Sequence, residues 1–181
     1  MILNLPNFLA LLRVAMAPLM YWFLVDRDSF LLDGIHTSWL DYFAALLFVL
    51  ASSTDFFDGF IAREWNQKTE LGAILDPLAD KMLVLAAFLG LMVIDRANPW
   101  AIYLILTREF FITGIRVASA SKGYSVSASM AGKVKTVAQM FAIGFLMMNW
   151  PGANILLWFA VFLTLYSGFE YVSNYITKAS S

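Results

Sequence analysis

The chain alternates long apolar stretches with short polar connections, a pattern typical of a helical membrane protein. Each stretch has about the ~20 residues that an α-helix needs to cross a hydrocarbon core of about 30 Å. Backbone polar groups must be satisfied inside lipid, so helices rather than open strands are predicted. Six stretches are predicted as transmembrane helices: Leu5–Val25, Ser38–Phe60, Leu71–Ile94, Pro99–Ser119, Ala128–Asn149 and Asn154–Tyr175.

Composition agrees with this all-α membrane fold. Hydrophobic residues make up 61% of the 181 positions, against roughly 45–50% in soluble domains. The connections are short and contain no repeats or linkers, so a single domain over residues 1–181 is predicted. The first stretch has no basic leader or cleavage site, and we expect it to be a retained helix. The chain has no cysteine, which excludes disulfides and thiolate metal sites.

The distribution of basic residues predicts an orientation in the inner, cytoplasmic membrane. With the N-terminus cytoplasmic, the outer connections hold only Arg27 and Arg96. The inner connections and their flanks hold further cations: Arg63, Lys68, Lys122 and Lys178. An even number of spans then places both termini in the cytoplasm. A net charge of −1 excludes a strongly basic field for nucleic acid.

Four aspartates lie where the second predicted helix ends and the third begins, on the cytoplasmic side. Asp55 and Asp58 are spaced i, i+3, and Asp76 and Asp80 are spaced i, i+4, so each pair lies on one face of its helix. One ionised aspartate at a helix centre in lipid costs roughly 2.5–3.5 kcal/mol, so four together need bound positive charge. Carboxylate oxygens favour Mg²⁺, Mn²⁺ or Ca²⁺, and their number suits two ions.

Small and basic residues surround these aspartates. Gly59 directly follows Asp58 and would let a flat or phosphorylated ligand approach the backbone. Ala62 is small, and Arg63 offers a planar fork for phosphate. In the alternative interpretation, the aspartates only pair with nearby cations: Arg63, Lys68 and Lys81. The spacing favours the metal site.

Residues 55–80 match the pattern D-x-x-D-G-x-x-A-R, eight residues, then G-x-x-x-D-x-x-x-D. On this signature the chain resembles the CDP-alcohol phosphotransferases, and the resemblance extends to its size and its six predicted helices. It implies a cytoplasmic site that binds a CDP-linked donor through Mg²⁺ or Mn²⁺, with two ions expected. The signature positions are Asp55, Asp58, Gly59, Ala62, Arg63, Gly72, Asp76 and Asp80.

The resemblance also implies roles for the signature residues. Asp55, Asp58 and Asp76 would be metal ligands. Asp80 would be both a ligand and the base that deprotonates the acceptor hydroxyl. The CDP moiety would be lined by Gly59, Ala62, Arg63 and Gly72.

Four cations on the predicted fourth and fifth helices are candidates for binding the acceptor: Arg108, Arg116, Lys133 and Lys135. Ionisable residues inside a membrane are functional candidates by default, although each alone could snorkel to lipid head groups. Together they predict a pocket for an anionic acceptor, because arginine grips a phosphate ester bidentately. Glu109 shares a helix face with Arg116 and is predicted to orient it.

Shorter motifs resemble the branch of the family that uses sn-glycerol 3-phosphate. They include Arg108-Glu109-Phe110, Gly132 to Thr136, and Asn4 to Asn7 followed by Arg13. The resemblance implies CDP-diacylglycerol as donor, sn-glycerol 3-phosphate as acceptor, and a homodimer. Three alternatives stay open: another acceptor such as inositol phosphate, serine or phosphatidylglycerol; a divalent-cation transporter; and an inactive lipid-binding scaffold. A transporter would favour acidic residues along a path across the membrane, whereas here they gather at one face.

Overall fold

The computed structural model describes residues 5–27, 29, 36–64, 70–121 and 130–179. Within its helices, the side chains at 5–6, 55–64, 70–71, 73–74, 76, 120–121 and 178–179 lie outside that description. Over this part the chain is all-helical, which confirms the predicted class. The helices are α1 (Leu5–Val25), α2 (Thr37–Glu64), α3 (Glu70–Val93), α4 (Pro99–Ser121), α5 (Met130–Met147) and α6 (Ala153–Ala179).

The helix bounds follow the apolar pattern closely, with two informative extensions. α2 continues past Phe60 to Glu64, and α6 continues past Tyr175 to Ala179. Both extensions contain charged residues, Arg63 and Glu64 in α2 and Lys178 in α6. A helix can therefore run beyond its apolar segment. Hydropathy therefore locates the buried length of a helix better than its end.

Particular residues in the short turns between helices explain where one helix ends and the next begins. Two residues after α3 and α5 end, the backbone is left-handed, at Asp95 (φ 56°) and Asn149 (φ 51°). In each turn the following N–H closes back onto the last helical turn, and Asp and Asn tolerate this conformation better than most residues. At the start of α4, Asn98 Oδ1 accepts a hydrogen bond from the N–H of Trp100 at 2.9 Å, with Pro99 between them.

The chain forms two compact units, Met1–Arg96 and Ala97–Ser181. In the first unit α1 packs against both α2 and α3, and α2 also contacts α3. Gly90 lies directly against Leu24, where an added Cβ would stand 2.8 Å from Leu24 Cδ1. Small side chains let these helices approach closely. Among the residues of this unit whose side chains are described, the buried alanines are Ala10, Ala17, Ala44, Ala51, Ala79 and Ala87.

One buried carboxylate joins all three helices of the first unit. Asp41, near the start of α2, accepts a hydrogen bond on Oδ1 from Arg27 Nη2 at 2.6 Å. It accepts another on Oδ2 from Arg96 Nη2 at 2.7 Å. Arg27 Nε also donates to the carbonyl of Leu24 at 3.0 Å. This Asp41 triad (Asp41, Arg27 and Arg96) holds the chain just beyond α1 and α3 against α2.

In the second unit α6 packs against both α4 and α5. The interior of this second unit is partly polar. Gln139 Nε2 on α5 donates to Thr164 Oγ1 on α6 at 2.8 Å, and both residues are buried. Thr164 Oγ1 in turn donates to the carbonyl of Ala160 at 2.6 Å. A buried hydrogen bond between polar side chains therefore links α5 to α6.

The exterior carries large apolar side chains, as expected for a protein surrounded by lipid. Phe110, Phe141 and Phe169 are 63%, 61% and 77% exposed. Among the described helices, Asn7–Val25 and Ala153–Thr177 are long and apolar enough to cross a membrane.

Candidate functional site

The four signature aspartates lie on continuous helices. Asp55 and Asp58 belong to the last turns of α2, and Asp76 and Asp80 belong to the first half of α3. The side chains of Asp55, Asp58 and Asp76 lie outside the described residues, so their cluster stays a prediction. Asp80 is half-buried and directly follows the fully buried Ala79.

The residues predicted to line the CDP moiety are divided between the same two helices. Gly59, Ala62 and Arg63 lie in α2, with side chains outside the described residues. Gly72 lies near the start of α3 and is buried. The signature therefore sits on both sides of the connection between α2 and α3.

The donor chemistry of the signature fits a hard divalent cation. Four carboxylates supply only oxygen, and the single histidine, His36, precedes the opposite end of α2. Among the side chains that the structure describes, no three His, Asp or Glu stand close enough together to hold a metal ion, and Asp80 alone represents the signature there. The identity and number of the ions stay predictions.

Arg13 is a site candidate to which the sequence argument gave no role. It is the sole charged residue of α1, and its side chain is fully buried. Since α1 packs against α2 and α3, which carry the aspartates, Arg13 supplies positive charge inside the same unit. A lone charge in an otherwise apolar span was the signal that would have found it.

In the second unit, two of the four predicted acceptor cations meet at one carboxylate. Arg108 Nη1 donates to Glu109 Oε1 at 3.2 Å, and Lys135 Nζ on α5 donates to the same oxygen. Arg108 Nη2 also donates to Ser167 Oγ on α6 at 2.9 Å. We call these residues, Arg108, Glu109, Lys135 and Ser167, the Glu109 cluster. It joins α4, α5 and α6.

The Glu109 cluster is largely removed from solvent and contains two cations and one carboxylate. The side chains of Arg108 and Lys135 are 10% and 9% exposed, whereas that of Glu109 is 25% exposed. Two cations, Arg108 and Lys135, share one carboxylate in this cluster. Two cationic side chains held this close together offer several hydrogen-bond donors, which suits the binding of an anion.

The other two predicted cations lie apart from this shared carboxylate. Arg116 is exposed, and its Cζ stands 5.7 Å from the ring centroid of Tyr171 on α6. Lys133 is exposed on α5. Glu109 pairs with Arg108 and Lys135, so the expectation that it orients Arg116 was wrong.

A groove of about 340 Å³ runs between α4 and α6 beside the cluster. Apolar side chains, including Leu104, Phe111 and Phe169, form most of its lining, and Arg108 is its charged member. The guanidinium of Arg108 therefore stands at the boundary between an apolar groove and the polar cluster.

A family model described as CDP-alcohol phosphatidyltransferase matches residues 3–166. The chain belongs to the CDP-alcohol phosphatidyltransferase family. It is similar to proteins named "CDP-diacylglycerol--glycerol-3-phosphate 3-phosphatidyltransferase" from three bacteria. The Bacillus subtilis protein is 42% identical over 181 residues, covering 94% of each chain. The Escherichia coli K12 protein is 40% identical over 181 residues, covering 94% of this chain and 93% of its own. The Rickettsia typhi protein is 40% identical over 177 residues, covering 93% and 94%.

These similarities confirm the family predicted from the aspartate signature. The chain is a phosphatidyltransferase of a family of membrane enzymes, and its apolar exterior agrees with that environment.

Proposed function

We propose that this chain transfers the phosphatidyl group of CDP-diacylglycerol to sn-glycerol 3-phosphate, giving phosphatidylglycerophosphate and CMP. The relatives that carry this activity in their names align with nearly its whole length. The reaction makes the chain an enzyme of phospholipid biosynthesis.

The Glu109 cluster is the observation that supports the acceptor. A buried pair of cations around one carboxylate offers several charged donors, and a phosphate monoester has the oxygens to accept hydrogen bonds from both cations. Arg108 and Lys135 would bind that phosphate directly. Arg116 and Lys133, which are exposed, would add positive potential around it. Serine lacks a phosphate, so this cluster favours glycerol 3-phosphate over serine.

The donor would bind to the signature of the first unit. Asp55, Asp58, Asp76 and Asp80 would hold two Mg²⁺ or Mn²⁺ ions, with Gly59, Ala62, Arg63 and Gly72 around the cytidine diphosphate. When bound, the ions would supply the positive charge that the carboxylates and the diphosphate require. The acyl chains of the donor stay in lipid, and its headgroup reaches the site from the inner leaflet.

Asp80 would act as the general base. Its carboxylate takes the proton from the 1-hydroxyl of glycerol 3-phosphate, and that oxygen forms a bond to the β-phosphorus of the donor. The bond from this phosphorus to the bridging oxygen breaks, and CMP leaves with the bridging oxygen and its electron pair. Positioning and electrostatic stabilisation supply most of the acceleration in such transfers.

We further propose the arrangement in the membrane. All six helices would span the inner membrane, with both termini and the site on the cytoplasmic side. Residues 1–181 would work as one functional domain, and two copies would form a homodimer.

Replacing Asp80 tests the proposal. Purified protein is incubated with CDP-diacylglycerol, glycerol 3-phosphate and Mg²⁺ or Mn²⁺, and CMP release is measured. Asp80→Asn should lower kcat by about 100-fold or more, the usual contribution of a general base. Asp95→Asn is the matched control, because Asp95 is exposed and asparagine tolerates its left-handed backbone. CMP release that survives Asp80→Asn would contradict the assigned base.

The acceptor is tested separately. Inositol phosphate, serine and phosphatidylglycerol are each offered in place of glycerol 3-phosphate, and the lipid product is identified. We expect product with glycerol 3-phosphate. Faster turnover with another acceptor would replace this assignment within the same chemistry.

A further inference from the structure

We infer that one face of α6, formed by Ser167, Gly168 and Tyr171, positions both arginines of α4 and thereby sets the affinity for the acceptor phosphate. The inference rests on the proposed function, since it assigns α6 a task at the acceptor site. These three residues follow the segment matched by the family model, which ends at residue 166. None of them was a candidate from the sequence.

Gly168 provides the space in which Arg108 lies. A Cβ added at Gly168 would stand 3.1 Å from both Cγ and Nε of Arg108, which is closer than ordinary van der Waals contact. The stem of Arg108 therefore rests directly on the backbone of α6. Gly168 is also the position at which the smallest added group would displace the guanidinium.

Ser167 fixes the orientation of the same guanidinium. Its Oγ accepts the hydrogen bond from Arg108 Nη2 at 2.9 Å and donates to the carbonyl of Thr164 at 3.0 Å. Donation to a helix carbonyl directs the remaining lone pairs of the hydroxyl outward. The planar fork of arginine is then held from one side by Ser167 and from the other by Glu109.

Tyr171 supports the second arginine one turn further along. The ring lies beneath the guanidinium of Arg116, 5.7 Å from Cζ to the centroid, and Tyr171 is 4% exposed. Its buried hydroxyl has no hydrogen-bond partner among the described atoms. The ring, rather than the hydroxyl, is therefore the group that positions Arg116.

The contacts of Ser167 and Gly168 with Arg108, and of Tyr171 with Arg116, are in place before any substrate binds. Orienting an arginine in advance removes the entropy of ordering it on binding, which raises affinity without a new contact to the ligand. Ser167, Gly168 and Tyr171 are positioning residues, and the expected signature is a change in KM for glycerol 3-phosphate at unchanged kcat.

The first experiment uses Gly168→Ala. A displacement of a few tenths of an ångström should raise KM for glycerol 3-phosphate by about 3- to 10-fold, as small misplacements of binding groups do. kcat and KM for CDP-diacylglycerol should stay within about twofold. Gly144→Ala is the control, because a Cβ at Gly144, on α5, meets nothing within 4 Å. A rise in both variants, or in neither, would overturn the role of Gly168.

A second arm separates this inference from the proposed function. Arg108→Gln should raise KM for glycerol 3-phosphate more than Gly168→Ala does, and the double variant should match Arg108→Gln alone, because Gly168 acts through Arg108. If Arg108→Gln changes KM while Gly168→Ala does not, the inference fails and the acceptor site stands. If Arg108→Gln leaves KM unchanged, the acceptor role of Arg108 fails first and the inference falls with it.

A matched pair tests Tyr171. Tyr171→Phe keeps the ring and should leave KM unchanged, whereas Tyr171→Leu should raise it about threefold through loss of the cation–π contact. The concentration of glycerol 3-phosphate that gives half of its maximal thermal stabilisation should shift in parallel, which reports binding without turnover. Equal effects of Phe and Leu would contradict the role of the ring.

Discussion

The Asp41 triad and the Glu109 cluster have the same charge composition, two cations around one carboxylate, but use the carboxylate differently. In the triad each oxygen of Asp41 binds one arginine. In the cluster Arg108 and Lys135 both converge on Glu109 Oε1. Separating the cations over two oxygens suits a structural clamp. Converging on one oxygen brings the two positive charges closer together, which strengthens their mutual repulsion.

The Asp41 triad and the predicted metal site lie toward opposite ends of α2. Asp41 lies near the start of α2, whereas Asp55 and Asp58 lie near its end. At about 1.5 Å per residue, more than 20 Å separates the triad from the predicted metal site. The triad can therefore be altered without touching the chemistry, which makes it a control for the cluster.

The largest expected effect is on stability and comes from the triad. Asp41→Asn leaves Arg27 and Arg96 without their carboxylate and should lower the free energy of unfolding by about 3 kcal/mol. This is the low end for buried pairs, since the arginine side chains keep 19% and 17% of their exposure. Thermal unfolding in detergent measures the loss. KM for glycerol 3-phosphate, measured well below the transition, should not change, and a change would show that the triad also serves the site.

Replacing Glu109 should affect both stability and binding. In Glu109→Gln, Arg108 and Lys135 lose the charge that holds them together and repel each other. We expect about 2 kcal/mol lower stability and a KM for glycerol 3-phosphate about tenfold higher, equivalent to about 1.4 kcal/mol. Asp41→Asn is the matched comparison for Glu109→Gln, because Asp41 is also one carboxylate that binds two cations. Destabilisation by Glu109→Gln at unchanged KM would make the two networks alike and remove the distinction.

These networks also show what could be predicted from the sequence. Apolar lengths gave all six helices, because span length and hydropathy are properties of each segment alone. The cations of the proposed acceptor site were identified by residue type. Their partners were not, because a shared helix face placed Glu109 near Arg116, whereas contacts with other helices selected Arg108 and Lys135.

The role of α6 was invisible in the sequence for a related reason. Ser167 and Gly168 are small residues in an apolar helix, and nothing in their spacing marks them. Their importance depends on which side chain of α4 crosses them, and this is a property of tertiary packing. Arg13 was also missed, although it carried a signal in the sequence, because it interrupts an apolar segment.

A smaller effect is expected where the second unit is held by neutral hydrogen bonds. Thr164→Val removes the hydroxyl that accepts from Gln139 and leaves a buried amide donor unsatisfied. This should cost about 1.5 kcal/mol of stability. The double variant with Gln139→Leu removes both partners and should recover most of the loss. Thermal unfolding of the three variants forms the cycle, and additive losses would mean that this bond does not couple α5 to α6.

The smallest effect concerns Asp26, an exposed acid near the triad in sequence. Hydrogen bonds from the indole of Trp22 (3.0 Å) and the hydroxyl of Ser29 (2.8 Å) hold the pKa of Asp26 below its ordinary value of 3.8. A carboxyl with a lowered folded pKa stabilises the fold above its unfolded pKa, and the contribution disappears as the pH falls through the folded value.

Trp22→Phe removes the hydrogen bond that lowers the pKa of Asp26 the most. The Tm of this variant should therefore lie below that of the unaltered chain at pH 7. The difference should narrow as the pH falls below about 3.8, because protonated Asp26 no longer gains from the indole donor. Trp158→Phe, an exposed tryptophan on α6, serves as the control and should give a difference that does not vary with pH. A pH-independent difference for Trp22→Phe would assign its effect to lost apolar contact.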